Sequence, residues 1–159
     1  MEMKRSVIAS ILLFVLIGPI YGQMFYPKHA ITKKYHLIKF AATWHGALSH
    51  CHSIGMHLVS ISSQAENNRI TKQLKDEGYG GGRIWTSGTR LSDDVTWEWM
   101  GNGKRMNFTD WGKGQPSNDH NSEKCMEIYG SYKWNDCSCD RKNYFICEQD
   151  LIEYQYCTN

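Results

Sequence analysis

The chain has little net charge, +2 over 159 residues with histidines neutral, so nothing in it invites nucleic acid or an anionic lipid surface as a partner. A second long apolar run is also missing: after Val7–Ile17 no stretch of that length follows, and no membrane span is expected beyond the N-terminus. Catalytic signatures are absent as well. The glycines at 78, 80, 81 and 82 lack the Gly-Lys-Ser/Thr of a phosphate loop and read as a connector. The seven histidines form no zinc-protease or hydrolase-triad pattern, and there is no nucleophile elbow or paired-carboxylate arrangement. These absences argue against an enzyme. There is no internal repeat, low-complexity tract or second domain.

What is present begins with a leader. Lys4 and Arg5 precede the apolar Val7–Ile17, and small residues follow near Gly22, the layout of a secretory signal peptide cleaved between Gly22 and Gln23. The apolar run falls short of the roughly 20 residues a spanning helix needs. A mature chain of residues 23–159 would suit one domain and carry a formal charge of +1. All six cysteines, at 51, 125, 137, 139, 147 and 157, lie in that part. An even count in an exported chain reads as disulfides, three at most; the tight Cys137-Ser138-Cys139 spacing and an oxidising compartment work against zinc.

Residues 35–40 suit a first strand. Thr43 can cap a helix through about Ile54, with Trp44, Ala47, Leu48 and Cys51 on one face. Ser63 and Glu66 form a capping box for a second helix to about Asp76, with Ile70 and Leu74 inward. Strands are expected at 84–88, at 95–99 with Val95, Trp97 and Trp99 on one face, at 126–129 and at 143–147, with a turn at Gly101-Asn102-Gly103. Helices first and strands after give an α+β class. Residues 105–124 make a long polar passage, and such loops in compact domains are usually functional.

Within and after that passage, Gln115, Ser117, Glu123, Asn135 and Asp136 offer five oxygen-bearing side chains. Calcium takes six to eight hard oxygen ligands of this mixed kind. The same residues, with Pro116, Asn118 and Asp119, are also ordinary turn formers. Residue chemistry alone leaves both readings open.

In chain order the sequence holds a helix ending at Cys51, then HLVSI, W-T-S-G at 85–88, W-x-x-x-Q-P-S from Trp111, E-x-C, W-N-D-x-x-C and Y-F-I-C-E. Over about residues 35–148 this resembles a C-type lectin domain, and short, secreted, single-domain invertebrate members in particular. With the leader at 1–22 read from its own layout, the resemblance places a carbohydrate-recognition domain at 35–149, between an N-terminal segment at 23–34 and a tail at 150–159. It also implies bridges Cys51–Cys147 and Cys125–Cys139. Cys137 and Cys157 fall outside that pattern, either bridging each other or linking two chains.

By the same resemblance one calcium ion is held by Gln115, Ser117, Glu123, Asn135 and Asp136, with a cis bond before Pro116. Two vicinal sugar hydroxyls then replace water on the ion and hydrogen-bond its protein ligands. Mannose-type members carry Glu-Pro-Asn at 115–117 and galactose-type members Gln-Pro-Asp. Gln115-Pro116-Ser117 leans towards galactose but lacks the third carboxylate, which weakens calcium binding. No aromatic ring follows the triplet, leaving Tyr129 or Tyr132 to stack on a sugar. An accessory calcium site would need carboxylates at 90, 94, 118 and 124, where this chain has Arg90, Asp94, Asn118 and Lys124. That site is expected to be lost. Asn107-Phe108-Thr109 is a glycosylation sequon. His45 and His52 read as surface or packing residues, and Trp85, Trp97, Trp99 and Trp134 as core, Trp134 beneath the metal loops. The implied function is secreted, calcium-dependent glycan binding in innate recognition, with oligomers supplying avidity. The alternative is a calcium-independent protein-interaction module on the same fold.

Overall fold

The computed structural model describes residues 29–154. The expected leader, residues 23–28, Cys157 and the end of the tail lie outside the described residues. The chain divides into a main unit, 32–151, and a second unit made of 1–31 and 152–159. Of the second unit only the strand ends 29–31 and 152–154 are described; both helices and the polar passage belong to the main unit.

The first strand, β1 (His29–Ala42), is longer than the expected 35–40 and precedes both helices, so strands do not all follow helices. Thr43 then caps α1 (Trp44–Ser53) by accepting from Gly46 N–H, as expected. Trp44, Ala47 and Cys51 are its buried face. After β2 (His57–Leu58), Ser63 caps α2 (Gln64–Asp76), which buries Ile70 and Leu74. Only half of the expected capping box forms. Ser63 Oγ accepts from Glu66 N–H, but the Glu66 carboxylate takes the N–H of Ser62 instead, at 2.7 Å. The reason is competition: Lys33 Nζ stands 2.7 Å from Glu66 Oε1, and Tyr35 donates to the same oxygen.

The remaining strands are β3 (Ile84–Thr89), β4 (Glu98–Trp99), β5 (Lys104–Arg105), β6 (Cys125–Tyr129), β7 (Lys133–Cys137) and β8 (Asn143–Tyr154). They form an eight-stranded sheet in the order β1-β8-β3-β4-β5, with β2 on β8, β6 on β3, and β7 on β6. The β3–β8 pair is parallel, and β3 is buried along its whole length. The expected strand at 95–99 shrinks to Glu98–Trp99. Val95 is 77% exposed and does not share an inward face with Trp99, because residues 91–95 turn before the strand begins. The expected turn at Gly101-Asn102-Gly103 joins β4 to β5 as an antiparallel hairpin, with Gly103 at positive φ; Gly101 also allows a close approach, since a Cβ there would lie 2.3 Å from the Leu58 carbonyl oxygen.

Two aromatic-rich cores flank the sheet. One gathers Trp99, Met126, Ile128 and Trp134 with the inward face of α2, and the other gathers Trp44, Trp85 and Phe145 with α1. Indole N–H groups tie layers together as well as filling them: Trp44 Nε1 donates to Thr86 O and Trp85 Nε1 to Ala42 O. Cys51–Cys147 and Cys125–Cys139 are bridged as the resemblance implies. Among the described residues Cys137 has no bridging partner, and its buried thiol is pushed up in pKa by burial and by neighbouring Glu127; Cys157, its expected partner, lies outside them. Among the described residues no helix is long and apolar enough to cross a membrane.

Candidate functional site

The polar passage is held to the sheet by Trp134. Its backbone N–H donates to Asp110 O, and its carbonyl accepts from Gly112 N–H, a two-point stitch between loop and β7. The Trp134 ring is fully buried, donates to Asn67 Oδ1 and meets Trp99, Phe108 and Trp111 edge-on. It lies one residue before Asn135-Asp136, so these two project from a fixed strand. They are not a turn: β7 runs through both, paired residue for residue with β6.

From that base four of the five expected donors meet. The Gln115–Pro116 bond is cis. The Ser117 N–H is shared between Gln115 Oε1 at 2.8 Å and Asp136 Oδ1 at 2.9 Å, while Ser117 Oγ donates to Glu123 Oε2 at 2.9 Å. Asn118 N–H takes the second Asp136 oxygen, and Asp119 N–H reaches Glu123 Oε2. Asn135 joins through its amide, which donates to the Asp136 carbonyl at 2.7 Å and leaves its own oxygen for another partner. Asp136 is fully buried, yet both carboxylate oxygens are satisfied by backbone N–H groups.

The donor set fits calcium in chemistry, being two carboxylates, two side-chain amides, a hydroxyl and a carbonyl, all hard oxygens; Gln115, Glu123 and Asp136 meet on Ser117, and Asn135 joins through the Asp136 carbonyl. Arg90 approaches from behind, donating to the Glu123 carbonyl at 2.9 Å and standing 4.0 Å from Asp136 Oδ2.

Sequence reasoning missed Glu127. This carboxylate is completely buried in β6, where it pairs with Arg83 and accepts from Asn135 Nδ2 at 3.0 Å and Asn143 Nδ2 at 2.7 Å. It fixes the amide of Asn135 and hence which atom that residue turns outward. An acidic residue inside the otherwise apolar strand CMEIY was the available signal. Tyr129 and Tyr132 are engaged elsewhere: Arg83 covers the Tyr129 ring at 3.8 Å, and Lys75 lies over Tyr132. Asn107 is exposed, as are His45 and His52. Arg90, Asp94, Asn118 and Lys124 do come together, around one cavity, but as two cations and a single carboxylate.

The profile of the lectin C-type domain matches residues 41–149. The chain belongs to the C-type lectin domain family. Among curated relatives it is 32% identical over 110 residues to hepatic lectin of Gallus gallus, covering 69% of this chain and 51% of that protein. The chain thus spans about half the length of that relative. It is 34% identical over 111 residues to perlucin of Haliotis laevigata, covering 68% and 70%. It is 32% identical over 111 residues to a C-type lectin galactose-binding isoform of Pseudechis australis, covering 67% and 70%. Among solved structures, the mouse scavenger receptor C-type lectin carbohydrate-recognition domain superposes with a TM-score of 0.69 at 28% identity, over 81% of this chain and 98% of that one. A calcium-independent type II antifreeze protein also superposes, with a TM-score of 0.64 at 25% identity, over 75% and 88%.

Proposed function

We propose that the domain is a secreted, calcium-dependent carbohydrate-binding module whose single ion site is Gln115, Ser117, Glu123, Asn135 and Asp136, reading galactose-type sugars. The convergence of Gln115 Oε1, Asp136 Oδ1 and Glu123 Oε2 on Ser117 carries this reading. Gln115, Ser117, Glu123, Asn135 and Asp136 would hold the ion, which when bound would offer open coordination positions to two vicinal sugar hydroxyls. Glu123 would accept a hydrogen bond from a sugar hydroxyl and the Gln115 amide would donate to a hydroxyl oxygen, while Asn135, its amide N–H groups held by the Asp136 carbonyl and Glu127, would turn its oxygen to the ion. The amide at 115 and the galactose-binding Pseudechis relative favour galactose over mannose. The leader layout and two disulfides favour an oxidising, extracellular setting, in which exposed Asn107 is a glycan acceptor. The loop is open to solvent, so one sugar binds weakly and clustered copies raise avidity.

A second reading keeps the fold but not the ion. Ser117 leaves the site one carboxylate short, and its own N–H and hydroxyl already occupy the converging oxygens; the calcium-independent antifreeze relative shares the architecture. Passing the refolded mature protein over galactose, mannose and fucose resins separates the two. The proposal expects retention on galactose resin with calcium and release by chelator. Retention on none of the resins, or retention that chelator leaves unchanged, overturns it.

A further inference from the structure

Arg90 directly follows β3 and is tied into the donor site from behind it. Its Nη2 donates to the Glu123 carbonyl at 2.9 Å and lies 4.0 Å from Asp136 Oδ2. Its backbone N–H donates to the Lys124 carbonyl, which also accepts from Thr89 Oγ1. The guanidinium lies over the Trp97 ring, 5.5 Å from its centre. The Arg90 side chain is only 12% exposed, and that of Asp136 is fully buried. The neighbouring Lys124 is paired with Asp94 Oδ1 at 2.5 Å. Among the described residues, Arg90 is therefore the cation that stands beside Asp136.

A buried carboxylate is costly unless it is hydrogen-bonded and its charge is offset. The N–H groups of Ser117 and Asn118 supply the hydrogen bonds, one to each Asp136 oxygen, and Arg90 supplies the opposite charge. The two oxygens have different company. Oδ1 shares the Ser117 N–H with Gln115 Oε1 and so belongs to the converging donors, whereas Oδ2 is the one Arg90 approaches. Arg90 also holds the backbone of Glu123, so one side chain reaches both carboxylate residues of the set. Calcium held by those carboxylates would meet a cation already standing beside one of them, and like charges at short range repel.

We infer that Arg90 is the internal counter-ion of Asp136: it steadies the donor set when no ion is bound and competes with calcium for the same carboxylate. The inference rests on the calcium reading of this site and adds to it what sets the calcium threshold. Arg90 is thus a positioning residue of opposing charge, and its removal should separate two properties that otherwise fall together.

The test compares the native mature protein with Arg90→Gln and Arg90→Lys, by thermal melts in chelator and by calorimetric calcium titration. Arg90→Gln should melt lower in chelator, having lost the charge beside a buried carboxylate. It should nevertheless bind calcium at least about threefold tighter, the smallest Coulombic gain expected for neighbouring charges in a water-like dielectric. A residue that only shaped the loop would lose stability and calcium affinity together. Arg90→Lys keeps the charge and should bring both values back towards native. If Arg90→Gln folds only with calcium present, the ion has taken the counter-ion's place, as inferred. If it folds in neither condition, Arg90→Lys decides: near-native calcium affinity supports the charge role, and a several-fold loss assigns Arg90 to hydrogen-bond geometry alone. The inference is overturned if Arg90→Gln binds calcium no tighter than native or melts no lower in chelator, or if Arg90→Lys shows the same gain. If the native protein binds no calcium, the calcium reading of the site falls and the competition falls with it.

Discussion

Replacing Ser117 by Asp would set a third carboxylate where the serine hydroxyl now donates to Glu123 Oε2 across 2.9 Å. Like charges a few ångströms apart near a surface repel by several kcal/mol at most, less once solvent relaxes around them. The ion-free Ser117→Asp variant should therefore melt lower than the native protein. Calcium should reverse that order, because ligand charge raises affinity in oxygen sites. Thermal melts with calcium and with chelator read both effects, and a smaller calcium-induced rise in the variant would contradict the assigned site. Glu127 acts at one remove. Glu127→Ala leaves Arg83, Asn135 and Asn143 with unpaired donors, a loss of about 3 kcal/mol in urea unfolding. Glu127→Gln keeps the shape and should lose less stability. It should still weaken calcium binding, because Asn135 is no longer held by a carboxylate.

Between elements, the tie that matters most is Lys33. It links β1 to α2 and β8 through Glu66, at 2.7 Å, and Glu148, at 2.9 Å. Burial pushes the Glu66 carboxyl up, but Lys33 and the Ser62 and Tyr35 donors together bring it below its ordinary 4.5. Glu148, more deeply buried, stays above its ordinary value despite Lys33. The signs therefore oppose on the acid side. Glu66 contributes stability above pH 4.5 that is lost as pH falls through its lowered folded pKa. Glu148 takes up a proton in the folded state first, above 4.5, and so stabilises the fold as pH falls through its raised pKa. Lys33, raised above 10.5 by its two carboxylates against the cost of burial, loses its contribution only in strong base. Lys33→Met removes the shared cation and leaves two facing carboxylates, destabilising by about 3 kcal/mol at pH 7. The variant should regain stability as pH falls and one of the two carboxylates takes up a proton, and urea midpoints measured from pH 7 downward check it.

At this scale the sequence was legible where a local rule acts alone. Thr43 caps α1 through its own hydroxyl, and Ile70 and Leu74 face inward by helical period. The Ser63–Glu66 box half failed because Lys33, far upstream in the chain, competes for the same carboxylate. The alternation of Val95, Trp97 and Trp99 misled because the turn at 91–95 precedes the strand. β7 was missed because KWNDC is polar in composition, and its pairing with β6 is what makes it a strand. The five donors of the candidate site were visible as residue types, and family order rather than periodicity grouped them. Glu127 and Arg90 could not be placed without the tertiary contacts that bury them.

Taken as a whole, the molecule divides its two disulfides between different tasks. Cys51–Cys147 closes a separation of 96 residues and joins α1 to β8, whereas Cys125–Cys139 closes 14 and flanks the donors of the loop. Loop-closure entropy assigns about 4.7 kcal/mol to a loop of about 100 residues and about 3 kcal/mol to one of about 15. Replacing the Cys51–Cys147 pair with alanines should thus cost more in urea unfolding. Replacing the Cys125–Cys139 pair should cost less stability but more calcium affinity, since it frees the strand end that carries Asp136. Equal losses of calcium affinity in the two variants would remove that division of labour.

The chain of indoles under the loop has an optical consequence. Trp97, Trp111, Trp134 and Trp99 follow one another at ring-centre separations of 4.9, 5.8 and 5.5 Å. At such spacings their electronic transitions couple, so absorbed light is shared along the row rather than kept by one chromophore. Trp134 sits at the junction, bonded through its backbone to Asp110 and Gly112 of the loop and followed directly by Asn135 and Asp136. A shift in those two residues changes ring angles, and with them the sign and size of the exciton signal in circular dichroism. The protein thus carries a built-in optical gauge of its own binding loop, readable without a label.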